Sequence, residues 1–270
     1  MIDSNCNTDE ETAAEIVTVS DDGSIVVFSN SPQGTIGFVD ISDPFHPVAM
    51  GTIDVGGEPT SIAACNGKLL VGVNTSPSFI EPSGIFHVVD IYTMEVLRTG
   101  DLGGQPDSVA VSPDCTTAAI AIENERDEDL GDGGLPQMPA GFVVIMDISA
   151  SDVSEWTTTQ VDVTGLGNGI VEDSDPEPEF VAINEDGIAV VTLQENNGIV
   201  LIDTKTALVV GAYSAGSVDL KNVDAVEDGI ISQTDSLDAV PREPDGVTWI
   251  GNVSVTLSSR FAERACAESH

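Results

Sequence analysis

Four proline–acid pairs recur along this chain, Glu58-Pro59, Pro106-Asp107, Pro178-Glu179 and Pro244-Asp245, and Glu15 holds the equivalent place ahead of the first. A second set of polar residues alternates with them: Asn30, Asn74, Glu123-Asn124-Glu125 and Gln194-Glu195-Asn196-Asn197. Both sets are oxygen donors without His or Cys, and such donors select hard cations, with calcium the natural candidate. Several carboxylates in one small space require raised pKa values or a bound cation. The candidate metal ligands are Glu15, Asp107, Glu123, Glu125, Glu179, Glu195 and Asp245. A structural role for the same residues stays open, because acids before a strand cap turns and Asn closes loops through its side chain.

No catalytic residue stands out. There is no Gly-x-Ser-x-Gly, the three histidines (His46, His87, His270) are scattered, and no lysine stands beside a candidate base. Phosphoester hydrolysis by this chain would therefore be metal-assisted, with calcium neutralising the phosphate and Glu179 or Glu195 as base. Charge works against that chemistry. Forty-six Asp and Glu stand against eight Lys and Arg, a formal charge of −38 over 270 residues. Such a surface repels phosphate backbones and anionic lipid, so nucleic-acid and membrane-surface binding are disfavoured, while divalent cations and cationic partners are favoured.

Hydrophobic residues make up 41% of the chain, enough for a buried core, and no run of about 18 apolar residues could cross a membrane. Met1 to Thr12 is polar and acidic and does not read as a signal peptide. The four cysteines show no metal spacing. Cys65 and Cys115 fall near equivalent turns of adjacent repeats, and whether they pair is left open, since a bridge needs α-carbons within about 7 Å.

The elements that must position these residues form a repeat. Four segments end alike, Gly37-Phe-Val-Asp40-Ile, Phe86-His-Val-Val-Asp90-Ile, Val143-Val-Ile-Met-Asp147-Ile and Ile199-Val-Leu-Ile-Asp203-Thr, each preceded by two further apolar runs. Turn signals join the first run to the second: Ser20-Asp-Asp22-Gly23, Asn66-Gly67, Ser112-Pro113-Asp114-Cys115 and Asn184-Glu185-Asp186-Gly187. β-Branched runs bounded by Gly, Pro, Asn and Asp are strands, and with a weaker fourth run each repeat is a four-stranded unit of about 40 to 50 residues. The fold class is an all-β propeller of about four blades plus the start of a fifth. Loops entering the first strand and loops between the second and third emerge on one face, so the two polar sets converge at the channel mouth. Asp40, Asp90, Asp147 and Asp203 fall at the opposite face and read as turn formers.

The domain reading is an acidic, disordered N-terminus (1–13), a partial propeller (14–252) and an aberrant tail (253–270), with the fifth copy's second and third strands missing after Asn252. Such an open stack is expected to associate. The third repeat carries an outsized insertion, Glu125 to Ala140, whose Asp127, Glu128, Asp129, Asp132 and Gly133 lack the spacing of an EF-hand and read as a solvated acidic loop.

Ala14-Glu15-Ile-Val, Val39-Asp40-Ile-Ser-Asp-Pro44, Pro106-Asp107-Ser-Val, Glu177-Pro-Glu179-Phe-Val-Ala and Val191-Thr-Leu-Gln194-Glu195-Asn196-Asn197 resemble the choice-of-anchor I proteins, and Glu243-Pro244-Asp245 fits the same pattern. The resemblance covers about Ala14 to Asn252. It implies a secreted or surface-held, seven-bladed propeller of which this chain is a fragment. It also implies one of two functions: a binding module for a protein or phosphorylated small molecule, or a calcium-dependent phosphatase of the alkaline-phosphatase-like or phytase-like kind.

Overall fold

The computed structural model describes residues 11–131, 133–226, 228–251 and 253–256. Four antiparallel four-stranded meanders follow one another. Blade 1 holds β1 (Val17–Val19), β2 (Ile25–Asn30), β3 (Thr35–Asp40) and β4 (Val48–Asp54). Blade 2 holds β5 (Glu58–Cys65), β6 (Lys68–Asn74), β7 (Gly84–Asp90) and β8 (Val96–Asp101). Blade 3 holds β9 (Pro106–Val111), β10 (Thr117–Ile122), β11 (Phe142–Asp147) and β12 (Thr157–Val161). Blade 4 holds β13 (Pro178–Ile183), β14 (Ile188–Leu193), β15 (Gly198–Asp203) and β16 (Leu208–Ser214).

Two hairpins follow, β17 (Ser217–Val223) with β18 (Asp235–Pro241), and β19 (Val247–Ile250) with β20 (Val253–Thr256). The first strands β5, β9, β13 and β19 lie beside one another in that order. The Trp249 indole N–H donates to the Ala182 carbonyl at 3.1 Å, which places β19 as the first strand of a fifth blade. The strand expected to be missing after residue 252 is present as β20; residues 1–10 and 257–270 lie outside the described residues.

The central strands β6 and β10 are almost continuously apolar because the sheets of blades 2 and 3 are covered on both faces. In β10, Ala118, Ile120 and Ile122 pack toward Leu70, Phe86 and Val88 of blade 2, while Ala119 and Ala121 pack toward Val181, Ala189 and Val191 of blade 4. A third cluster joins Val27, Ile36 and Phe38 of blade 1 to Leu69, Val71 and Val73 of blade 2. The other face of blade 1 is open, with Val17 66% and Val19 48% exposed.

Hydroxyls tie the first strands together. Ser61 Oγ accepts from the Val109 N–H at 3.0 Å, Ser108 Oγ accepts from the Val181 N–H at 3.3 Å, and Thr60 donates to the Pro106 carbonyl at 2.9 Å. At the far ends, Asp40, Asp90, Asp147 and Asp203 accept from backbone amides two or three residues on, as expected of turn formers. Cys65 and Cys115 form a disulfide between blades 2 and 3, with α-carbons 5.9 Å apart.

Candidate functional site at the channel mouth

Proline sets the geometry. It has no N–H for the ladder, and in β5, β9 and β13 the pairing register slips just after it, between Pro59 and Ser61, beyond Pro106, and between Pro178 and Val181. Such a bulge re-aims the side chain it contains. The residues so placed are Thr60, Asp107 and Glu179 on consecutive first strands, and Asp245 follows Pro244 ahead of β19.

Asp107, Glu123, Glu125, Glu179 and Asp245 do come together. Burial first, then Glu125, Asp245 and Glu58, pushes the Asp107 carboxyl up to about 7. Both Asp107 and Glu123 keep part of their surface, yet they are surrounded by enough protein for loss of solvation to dominate. Glu123 is held well above the usual carboxylate range by burial, then by Asp107, Glu125, Glu177 and Glu179. The Gln194 amide lies against the Glu179 carboxylate; with its nitrogen turned toward the acid it donates to Oε1 at 2.7 Å. Gln105 Nε2 donates to Glu125 at 3.3 Å.

Two of the predicted ligands are placed differently. Glu15 is exposed, accepts from the Ser31 hydroxyl, and is not among the groups acting on Asp107 or Glu123. Its strand opens without a proline, so nothing turns it inward. Glu195 is held by a residue the repeat pattern does not contain. Arg126, from the blade 3 insertion and 8% exposed, places Nη1 3.1 Å from both Glu195 and Glu177, and its backbone N–H donates to Glu177 at 2.9 Å. Arg126 Nε donates to the Gly133 carbonyl and Nη2 lies 3.3 Å from Glu128. Burial works against the Arg126 charge, but Glu195 and Glu177 outweigh it and raise its pKa. Burial pushes Glu177 up to about 7, with Arg126 pulling the other way. So the root of the insertion, expected to be solvated acid, delivers a cation into the mouth. Asp132 lies outside the described residues.

The sequence signal for Glu177 is its position before a proline, shared with Glu58, Gln105 and Glu243. The asparagines divide from the acids. Asn124 and Asn196 accept from the amides of Gln105 and Glu177, each at 2.9 Å, and donate to loop carbonyls, while Asn197 donates to the carbonyls of Gly216 and Arg242. They are loop closers, and the carboxylates are what the mouth offers a ligand. Among the described residues no three His, Cys, Asp or Glu side chains are gathered tightly enough to hold a metal ion in place. His87 bonds Thr99 and the Val55 carbonyl, and His46 lies against Asp43 on the surface, so neither faces the acids.

Radial four-stranded meanders with acids at one end of the first strands define a β-propeller. The choice-of-anchor I domain matches residues 15–251, and the chain belongs to that family. No curated protein matches. Among solved structures, the Cps50 (Swd1) β-propeller domain of Myceliophteria thermophila is similar at a TM-score of 0.55 and 11% identity, over 92% of this chain and 65% of that one. A functionally unknown protein from Desulfotomaculum acetoxidans is similar at 0.54 and 10% identity, over 87% and 72%. This chain thus spans just under two thirds of the first of these, and the likeness shows the fold alone.

Proposed function

We propose that this propeller is an extracellular or surface-held interaction module whose channel mouth takes up a cation, calcium being the ion selected by donors that are all oxygen. The observation that carries this reading is the group Asp107, Glu123, Glu125, Glu179 and Asp245, whose burial and mutual repulsion raise the Asp107 and Glu123 pKa values. A bound divalent ion would relieve that repulsion in place of protons. The Cys65–Cys115 disulfide supports an oxidising compartment. Because the carboxylates are not drawn together in advance, binding requires side-chain rearrangement and competes with protons.

Calcium at millimolar concentration should raise the melting temperature above that in sodium chloride of matched ionic strength, and should release protons near pH 6. Glu123→Gln and Asp107→Asn should each remove both effects. Absence of a calcium-specific shift in the parent chain would overturn the cation reading. The phosphoesterase reading gains no residue from the structure: the cation nearest the acids, Arg126, is spent on Glu177 and Glu195.

A further inference from the structure

On the face opposite the carboxylates, blades 2 and 3 enclose a cleft of about 260 Å³. Its apolar lining includes Leu70, Val111, Ile148 and Trp156, and the Cys65–Cys115 disulfide forms part of its wall. Arg98 of blade 2 donates to the carbonyls of Val153 and Trp156 at 2.6 and 2.9 Å, which pins the blade 3 segment bearing the indole. The indole N–H is already satisfied by the Ala150 carbonyl at 2.8 Å. The cleft is therefore held open by a covalent bond and a guanidinium, and is preorganised rather than a gap that side chains could collapse.

Its one charged lining residue is Lys68. In a chain with 46 acids, this ammonium has no ion-pair partner among the described residues. Asp90 stands opposite Lys68 in the ladder, yet it forms no ion pair with the ammonium; its Oδ1 accepts from the amides of Tyr92 and Thr93. Asn66, Ser149 and Ser151 make the rest of the lining polar, and a cation without an ion pair in a cleft of such mixed lining complements an anion with a short apolar body. We infer that this interblade cleft binds a small apolar carboxylate, its chain against Leu70, Val111 and Trp156 and its carboxylate on Lys68. The volume lies just under the roughly 300 Å³ at which drug-sized sites begin, which sets the ligand at fragment size. The site is independent of the cation site at the mouth.

Calorimetric titration of the full, oxidised chain with octanoate, octanol and octylammonium tests this. Octanoate should bind and octylammonium should not. Lys68→Met should weaken octanoate by at least about tenfold, the loss of one charge-assisted hydrogen bond, and leave any octanol binding unchanged. Ala63→Phe, which fills the cleft, should abolish octanoate binding; should that variant fail to fold, Lys68→Met decides alone. No octanoate heat up to millimolar concentration, equal binding of octylammonium, or an octanoate affinity indifferent to Lys68→Met would each overturn the inference.

Discussion

The disulfide between blades 2 and 3 closes a loop with a sequence separation of 50 residues, and the loop-entropy relation assigns such a cross-link about 4 kcal/mol. That gain is reduced by the backbone. Cys115 stands at φ 57°, the left-handed position that Gly23 and Gly187 occupy in the sister turns at φ 71° and 80°. The Ser20–Asp22 and Ser112–Asp114 side-chain bonds show that the blade 1 and blade 3 turns are the same turn. A side chain there costs about 1 kcal/mol that glycine avoids. Cys115→Ser loses the cross-link and keeps the strain, so it should fall below the oxidised parent by about 4 kcal/mol. For a domain of this size that is on the order of 10 °C in melting temperature. Cys115→Gly loses the same cross-link but relieves the turn, and should be more stable than Cys115→Ser by about 1 kcal/mol. Urea unfolding of both variants and of the parent with and without reductant supplies the comparison. An oxidised and a reduced parent of equal stability would refute the cross-link argument. A serine variant at least as stable as the glycine variant would refute the strain argument.

Two further outcomes follow from the mouth. Arg126→Met leaves Glu177, 2% exposed, as a buried acid without its cation, and should cost about 3–5 kcal/mol in urea unfolding, with Glu177→Gln on that background recovering part of the loss. Asp107 binds its proton more tightly folded (about 7) than unfolded (3.8), so its contribution is complete below about pH 3.8 and disappears as pH rises through 7. Between pH 4 and 8 the Asp107→Asn variant should therefore lose less stability than the parent, and parallel pH profiles would show that Asp107 is not the group responsible.

The blades were legible because each contains its own local grammar: an apolar run, a turn of Ser or Asn with Asp and Gly, a second run, and an Asp that closes the next turn. The inward-facing acids were legible for the same reason, since a proline within a strand forces the bulge that carries Asp107 and Glu179. What escaped is what depends on partners far along the chain. Arg126 meets Glu177 across 51 positions, and nothing adjacent to Arg126 announces a buried cation. The β17–β18 hairpin escaped because Ser217–Val223 and Asp235–Pro241 are largely exposed, with polar residues where the other blades carry unbroken aliphatic runs. Glu15 was misplaced by analogy: it shares a position in the repeat with the other acids but not the proline that would have turned it.

The unequal faces of β10 limit how such a protein can diversify. Ile120 and Ile122 on one side and the smaller Ala119 and Ala121 on the other make the blade 3 sheet a key cut differently on its two edges, suited to the neighbours it already has. Duplicating or exchanging whole modules would set bulk against bulk or leave hollows, whereas the rim segments, free of that constraint, can change length and chemistry at little cost.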